Sequence, residues 1–311
     1  MQITKTKSNK PTKEPTNTHK ILFKKELSPQ VKLLKVYAPE ISNKAKAGQF
    51  VILKVSQNSE RIPLTLATWE KDTGTITLIF QEVGFSTIEL GALKIGAEIQ
   101  NLAGPLGNPS DIKNYGNVVV VCGGVGTAAA YPIAKALKEA GNKVTSIIGA
   151  RNKDLLILEN EMQNVSDKLY ISTDDGSKGH KGFVSDILKN LISSTMSYGA
   201  LSLRKGNEIG AVYAIGPPLM MNAASEVTRP YGIKTIVSLN PIMVDGMGMC
   251  GACRVSVGEK TRFACVDGPE FDAHQVNFKE LIQRLKSYST EEKFASQINP
   301  QLEGTCTCQN H

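Results

Sequence analysis

Residues 118–127 read Val-Val-Val-Val-Cys-Gly-Gly-Val-Gly-Thr, and residues 128–142 continue Ala-Ala-Ala-Tyr-Pro-Ile-Ala-Lys-Ala-Leu-Lys-Glu-Ala-Gly-Asn. Four consecutive valines without a polar alternate describe a strand buried on both faces. Gly123, Gly124 and Gly126 then turn the chain. Residues 128–140 are expected to be helical, Gly141 and Asn142 stop that helix, and residues 143–148 form the next strand. Strand, glycine-rich turn, helix and strand make the repeating unit of a doubly wound parallel α/β sheet. With Thr127 at the helix start, the glycines would let a pyrophosphate approach free N–H groups at the positive end of the helix dipole. A tight turn without a ligand is the competing reading.

The same pattern runs on towards the C-terminus. Gly149-Ala150-Arg151 follows the second strand, and an amphipathic helix is expected near 154–163. Residues 169–173 form a third strand that ends in Thr173-Asp174-Asp175-Gly176-Ser177. A further helix opens near Val184, after His180, which reads as an exposed loop residue. Residues 212–215 form a strand ending in Gly216-Pro217-Pro218-Leu219-Met220-Met221. These loops all follow strand C-terminal ends, where such a sheet takes its ligand. Gly216 and Pro217 suit the nicotinamide end of a dinucleotide. Asp174 and Asp175 are candidates for binding, against a plainer role as loop acids capping a helix. Cys122 reads as a small buried residue, and 193–210 as a surface loop.

Upstream, residues 20–112 change character. Short strand-like runs at 21–25, 31–37, 50–55, 62–67 and 75–80 alternate with turn signals about every ten residues, the pattern of a small antiparallel β-barrel. Arg61 carries a planar fork that suits a pyrophosphate. Gly84, Ser86 and Thr87 open a helical stretch at 88–93, offering N–H groups and hydroxyls to the same phosphates. Thr65, two residues beyond Pro63, can bring a hydroxyl or amide to a flavin ring. An arginine on a barrel surface and an ordinary helix cap are the alternatives. Residues 104–107 (Gly-Pro-Leu-Gly) close the barrel.

Downstream, residues 239–254 read Leu-Asn-Pro-Ile-Met-Val-Asp-Gly-Met-Gly-Met-Cys-Gly-Ala-Cys-Arg. Cys250 and Cys253 form a C-x2-C pair, and Cys265 follows after eleven residues. Asp245 stands where a plant-type iron–sulfur loop carries its first cysteine. Small residues between them let backbone N–H groups wrap around sulfide. The reading is a [2Fe–2S] cluster held by Asp245, Cys250, Cys253 and Cys265. A structural zinc with Cys306 or Cys308 as fourth ligand, or free thiols on a turn-rich hairpin, stay open on spacing alone.

Composition narrows the classes. The chain has 311 residues and is 41% hydrophobic, with a formal net charge of +7. No apolar run reaches the roughly 18 residues of a membrane helix. Residues 1–25 hold seven lysines and one acid, Glu14, and the Lys/Thr/Asn/Pro-rich stretch 1–19 reads as a disordered tail. It has no arginine and no apolar face, so it does not read as a transit peptide. No basic stripe interleaves with aromatics, which excludes a nucleic-acid role. Six cysteines without an export signal point to a reducing compartment, taken as the cytoplasm. The expected division is 1–19 tail, 20–112 barrel, 113–240 nucleotide fold, 241–280 cluster module and 281–311 tail, the last with a short helix at 281–286.

The stretch Arg61-x-Pro63-Leu64-Thr65 resembles the R-x-Y-[ST] flavin signature of the ferredoxin–NADP reductase superfamily. It departs at Leu64, where many members carry a tyrosine stacked on the isoalloxazine. The order of the modules resembles the electron-transfer subunits related to that of dihydroorotate dehydrogenase B and to the small subunit of NADH-dependent reduced ferredoxin:NADP oxidoreductase (known also as a sulfide dehydrogenase). Residues 121–127, 149–159, 173–177 and 215–221 look like the latter in particular, as does aspartate in place of the first cluster cysteine. The resemblance implies a barrel holding FAD, with Arg61, Pro63, Leu64, Thr65, Gly84, Ser86 and Thr87 at that site. It implies NAD(H), or alternatively NADP(H) in view of Arg151 and Lys153, on the second fold, and it favours the [2Fe–2S] cluster over zinc. It implies an oxidoreductase passing hydride between NAD(H) and FAD and single electrons through the cluster to a larger partner subunit. That partner would carry FAD and [4Fe–4S] clusters and reach ferredoxin by bifurcation. The other classes are a partnerless diaphorase, an electron-transfer subunit of a dihydroorotate or sulfide dehydrogenase, and a colourless zinc-binding module.

Overall fold

A computed structural model describes residues 19–199 and 208–288, the side chains of 195–199 excepted. The basic N-terminal stretch up to Thr18 and the C-terminal tail with Cys306 and Cys308 lie outside the described residues.

Six strands form an antiparallel barrel: β1 (Ile21–Ser28), β2 (Val31–Tyr37), β3 (Phe50–Lys54), β4 (Arg61–Glu70), β5 (Thr75–Gln81) and β6 (Asn101–Leu106), in the order β1-β2-β5-β4-β3-β6. The ends meet through a bridge between Lys20 and Glu98. Alternate residues such as Leu34, Val36, Leu66, Ile76 and Leu78 point inward and are fully buried, as a period of two requires. Helix α1 (Pro39–Ser42) and helix α2 (Phe85–Ala92) fill the connections. Leu90 of α2 plugs the barrel core.

The valine run becomes β7 (Asn117–Gly123). Its alternate valines serve two cores: Val118 and Val120 pack with Ile133 and Leu137 of α3 (Gly126–Glu139), Val119 and Val121 with elements on the other face. Strands β8 (Lys143–Ala150), β9 (Lys168–Thr173) and the two-residue β10 (His180–Lys181) extend the sheet one way. Strands β11 (Ile209–Ile215) and β12 (Thr235–Ser238) extend it the other way. Neighbours from β10 to β12 are all parallel. Helix α4 (Glu159–Asn164) joins α3 on one face, and α5 (Val184–Gly199) and α6 (Pro218–Thr228) cover the other. The chain reverses its direction of travel across the sheet between β7 and β11, so their C-terminal ends open a crevice.

After β12 the chain forms a hairpin, β13 (Arg254–Val257) and β14 (Lys260–Phe263). Strand β15 (Glu270–Asp272) then returns to the large sheet and pairs antiparallel with β12. Helix α7 (Phe278–Leu285) starts at Asn277, whose Oδ1 accepts the Glu280 N–H at 3.1 Å. Phe278 and Leu281 pack with Val255 of β13 in the nucleotide-fold core.

Two expectations fail locally. Residues 154–163 are not one helix. A single 3₁₀ turn at Lys153–Leu155 gives way to extended chain, and Leu158 sits in a left-handed conformation (φ 56°) before α4 begins. Burial of Ile157 beside Ala128 and Ile79 outweighs the helical periodicity. Residues 193–199 are helix rather than surface loop. Ile187, Leu188 and Ile192 extend one apolar face onto the sheet and carry the helix on; residues 200–207 lie outside the described residues. Among the described residues no helix is long and apolar enough to cross a membrane.

Candidate functional site

A cleft of about 1040 Å³ runs between the barrel and the C-terminal ends of β7, β8 and β11. Its nucleotide-fold wall includes Gly123, Gly124, Gly126, Arg151, Asp174, Gly216 and Pro217, and its barrel wall includes Pro63, Leu64, Thr65, Phe80 and Thr87. At Gly126 close approach, not flexibility, explains the residue type. A Cβ there would stand 2.6 Å from the Ile215 carbonyl oxygen and 2.7 Å from Gly216 Cα, so only glycine lets α3 begin against β11.

On the barrel side, the helix start offers a test for a phosphate-bearing ligand. Ser86 in the first turn of α2 is 5% exposed, and its Oγ has no hydrogen-bond partner among the described residues. Such an orphan is costly unless something else bonds to it, but Ser86 does not line the cleft, and of the two residues only Thr87 faces a ligand there. Thr87 is already engaged, accepting from the Val83 and Gly84 N–H groups at 3.1 and 3.0 Å and donating to the Gly84 carbonyl at 2.8 Å. Arg61, by contrast, is exposed at the start of β4 opposite Lys54, outside the cleft lining. Gly84 and Thr127 also lie off the lining, Thr127 being buried at the start of α3. Ser177, through its hydroxyl first and then through its N–H at 2.9 Å, holds the pKa of the Asp175 carboxyl down, while Asp174 faces the cleft. Neither acid caps a helix.

Beyond the barrel wall lies the cysteine loop. Cys253 and Cys265 are buried with their Sγ atoms 3.2 Å apart. Burial, then the contact with Cys253, pushes the Cys265 thiol up to about 12. Cys250 is exposed, with the Ala252 N–H 3.5 Å from its Sγ. The Asp245 carboxylate accepts from the Met247, Met249 and Cys250 N–H groups at 2.9, 3.0 and 2.7 Å. These bonds, that of Met247 first, hold its pKa down, so it is ionised. Gly246 and Gly248 stand at φ +74° and +80°, which the tight wrap of this loop requires. Among the described residues no three acids, cysteines or histidines are already gathered around one ion position. The donor set nevertheless fits an iron–sulfur cluster: two paired sulfurs, a third on the same loop, an ionised carboxylate, and amides directed at sulfur.

Phe50 and Met243 were not singled out from the sequence, yet they join the two places. Both line the cleft, and both pack in one buried group with Cys253 and Cys265. Phe50 pairs with Thr65 on one side and Leu106 on the other. Only strand register could have revealed this, because an inward phenylalanine in a barrel strand looks like ordinary core.

Cys122 at the end of β7 is fully buried, and burial pushes its thiol far up. It does not line the cleft.

Comparison with known proteins agrees with this division of labour. Residues 240–277 match the iron–sulfur cluster binding domain of dihydroorotate dehydrogenase B, and residues 120–226 match the oxidoreductase NAD-binding domain. The chain is 44% identical over 280 residues to a dihydroorotate dehydrogenase B (NAD(+)) electron transfer subunit homolog of Thermotoga maritima, covering 90% of this chain and 95% of that one. It superposes with TM-score 0.81 and 43% identity on a chain from the structure of NADH-dependent reduced ferredoxin–NADP oxidoreductase, solved in work on flavin-based electron bifurcation. That match covers 91% of this chain and 98% of the other. A ferredoxin NADP+ reductase from Neisseria gonorrhoeae with bound FAD and NADP shares the fold at 18% identity and TM-score 0.53, over 68% of this chain and 90% of that one.

Proposed function

The chain belongs to the family of dihydroorotate dehydrogenase B electron-transfer subunits and their homologues, and from that premise we propose a path for electrons through it. It is an NAD(H)-dependent oxidoreductase subunit that works with FAD and an iron–sulfur cluster and serves a larger partner. When bound, FAD exchanges a two-electron hydride with the nicotinamide for single electrons, and the [2Fe–2S] centre relays these one at a time.

The residues divide the work. Gly123, Gly124 and Gly126, with the α3 start that Thr127 buttresses from within, receive the dinucleotide pyrophosphate, while Gly216 and Pro217 border its nicotinamide end and Asp174 and Arg151 its ribose. Pro63, Leu64 and Thr65 flank the flavin ring, and Thr87, on the helix start that Gly84 and Ser86 shape, borders its phosphates. Arg61 reaches these phosphates only by swinging its side chain over the barrel end. Asp245, Cys250, Cys253 and Cys265 hold the cluster. The working units are 20–112, 113–240 and 241–280. The partner is a flavin and [4Fe–4S] subunit that exchanges electrons with ferredoxin, in the cytoplasm. One observation carries the reading: Phe50 and Met243 form a wall shared by the cleft and the Cys253–Cys265 pair. Phe50 and Met243 would thus lie between a flavin in the cleft and a cluster on the cysteines.

The test is the visible spectrum of the chain purified without oxygen, before and after one equivalent of NADH and then of NADPH. Flavin bands with a broad iron–sulfur shoulder, bleached by NADH, are expected. A colourless, zinc-bearing protein would overturn the reading. Bleaching by NADPH alone would keep the path and reverse the nucleotide choice, giving Arg151 a 2′-phosphate to bind.

A further inference from the structure

Two arginines bear on the Cys250–Cys253 turn from outside it. Arg254 donates from Nη1 to the Gly251 carbonyl at 3.2 Å, and Arg284 donates from Nη2 to the Ala252 carbonyl at 3.1 Å. These carbonyls belong to successive peptide units within the turn. The N–H of the first unit is that of Ala252, which faces Cys250 Sγ at 3.5 Å. The N–H of the second is that of Cys253. A hydrogen bond at a carbonyl polarises its amide and strengthens the N–H as a donor, and a cationic partner does so most.

Neither guanidinium has a carboxylate within ion-pair range among the described residues, whereas Arg262 on the same hairpin faces Asp267 at 3.8 Å. Among the described residues, therefore, no carboxylate neutralises either charge at the turn. Arg254 is exposed and Arg284 is half-buried. Arg284 rides on α7, one turn past Leu281, which is 2% exposed in the core beneath β13. Its helix is thus fixed against the hairpin from a point in the chain beyond the stretch matched to the cluster-binding family.

We propose that Arg284, with a smaller contribution from Arg254, is a positioning residue that sets the reduction potential of the cluster, by holding positive charge on the Cys250–Cys253 turn and polarising its amides, of which that of Ala252 faces Cys250 Sγ. The proposal rests on the reading of Asp245, Cys250, Cys253 and Cys265 as cluster ligands. Reduction adds one negative charge to the cluster and its ligands. A nearby cation and strengthened N–H donors favour that form and raise the potential. Solvent and salt screen Arg254 more than the half-buried Arg284.

The experiment uses the full chain, purified anaerobically with its cofactors. Iron and sulfide are assayed, and EPR-monitored redox titrations are run on the wild type, R284Q, R284K and R254Q. No iron–sulfur signal in the reduced wild type would sink the cluster assignment itself. With the signal present, R284Q is expected to titrate at a more negative potential and R284K close to wild type. R254Q is expected to shift less, and to lose its shift at about 1 M salt. Wild-type iron content with an unchanged potential in R284Q overturns the proposal. Equal shifts in R284K and R284Q overturn it too, since charge would then not be the cause. Should R284Q purify without iron, R254Q decides, and an unchanged potential at low salt overturns the proposal.

Discussion

Six parallel strands and four helices give the nucleotide fold two cores, one on each face of its sheet. The cysteine hairpin has two strands of four residues and shares a small core of six buried residues, two of them Cys253 and Cys265 and two, Phe50 and Ile52, lent by the barrel. The first region is held by extensive apolar burial, to which Val255 of the hairpin and Phe278 and Leu281 of α7 add. The second has little to bury, and its remaining cohesion must come from what its thiols bind, as in other small metal-dependent modules. Rigidity thus resides where the dinucleotide docks, and dependence on a cofactor where electrons leave.

The largest test of that contrast is removal of the metal. Cys265→Ser, or iron chelation, should drop iron content to near zero and speed amide exchange across 245–266, while β7, β8 and β11 stay protected. Equal loss of protection in both regions would break the contrast. Next in size, Leu137→Ala opens a hole in the α3 face of the sheet, where Leu137 is fully buried. It should cost about 2–5 kcal/mol in denaturant unfolding of the nucleotide fold and leave iron content unchanged. Gly126→Ala should cost about 1–3 kcal/mol, since its Cβ strikes the Ile215 carbonyl. Steady-state kinetics should show a raised KM for NADH, and an unchanged KM would detach the turn from the nucleotide.

The last effect lies on the seam between the regions and depends on pH. Glu270 of β15 accepts a hydrogen bond from Ser110 Oγ in the segment leading out of the barrel. Burial, with the Asp111 charge adding, raises its carboxyl from 4.5 to about 7 against the opposing Ser110 bond. Between those values the folded chain keeps a proton that the unfolded chain has released. Stability is therefore intact below about pH 4.5 and falls as pH rises through 7, by about 3 kcal/mol. Glu270→Gln should remove that part of the slope between pH 5 and 8 in urea titrations. An unaltered slope would show that the carboxyl is solvated and the seam looser than the Ser110 contact implies.

These differences track what the chain declares locally. The valine run, the glycine turn and the helix that follows were legible because strand, turn and helix periods are written within neighbouring residues. The C-x2-C pair was legible by spacing. Leu158 was not, since nothing in its neighbourhood demands a left-handed residue; that comes from Ile157 packing against Ala128 and Ile79. Arg61 drew attention as a cation beside a flavin-like signature, but its place at the exposed end of β4 depends on barrel register. Phe50, Met243 and Arg284 were invisible for one reason: each matters through a neighbour far along the chain, and no local pattern records such a meeting.

Strand β15 has an effect on association as well as on architecture. It is contributed from beyond the cysteine hairpin, yet it pairs along β12 and forms the outermost strand of the nucleotide sheet. A chain cut after Asn240 would leave β12 with a row of unpaired backbone groups, an open template for the same edge of another copy. With β15 in place, the free edge is only three residues long. The segment that follows the cysteine hairpin thus also covers the edge of the nucleotide sheet.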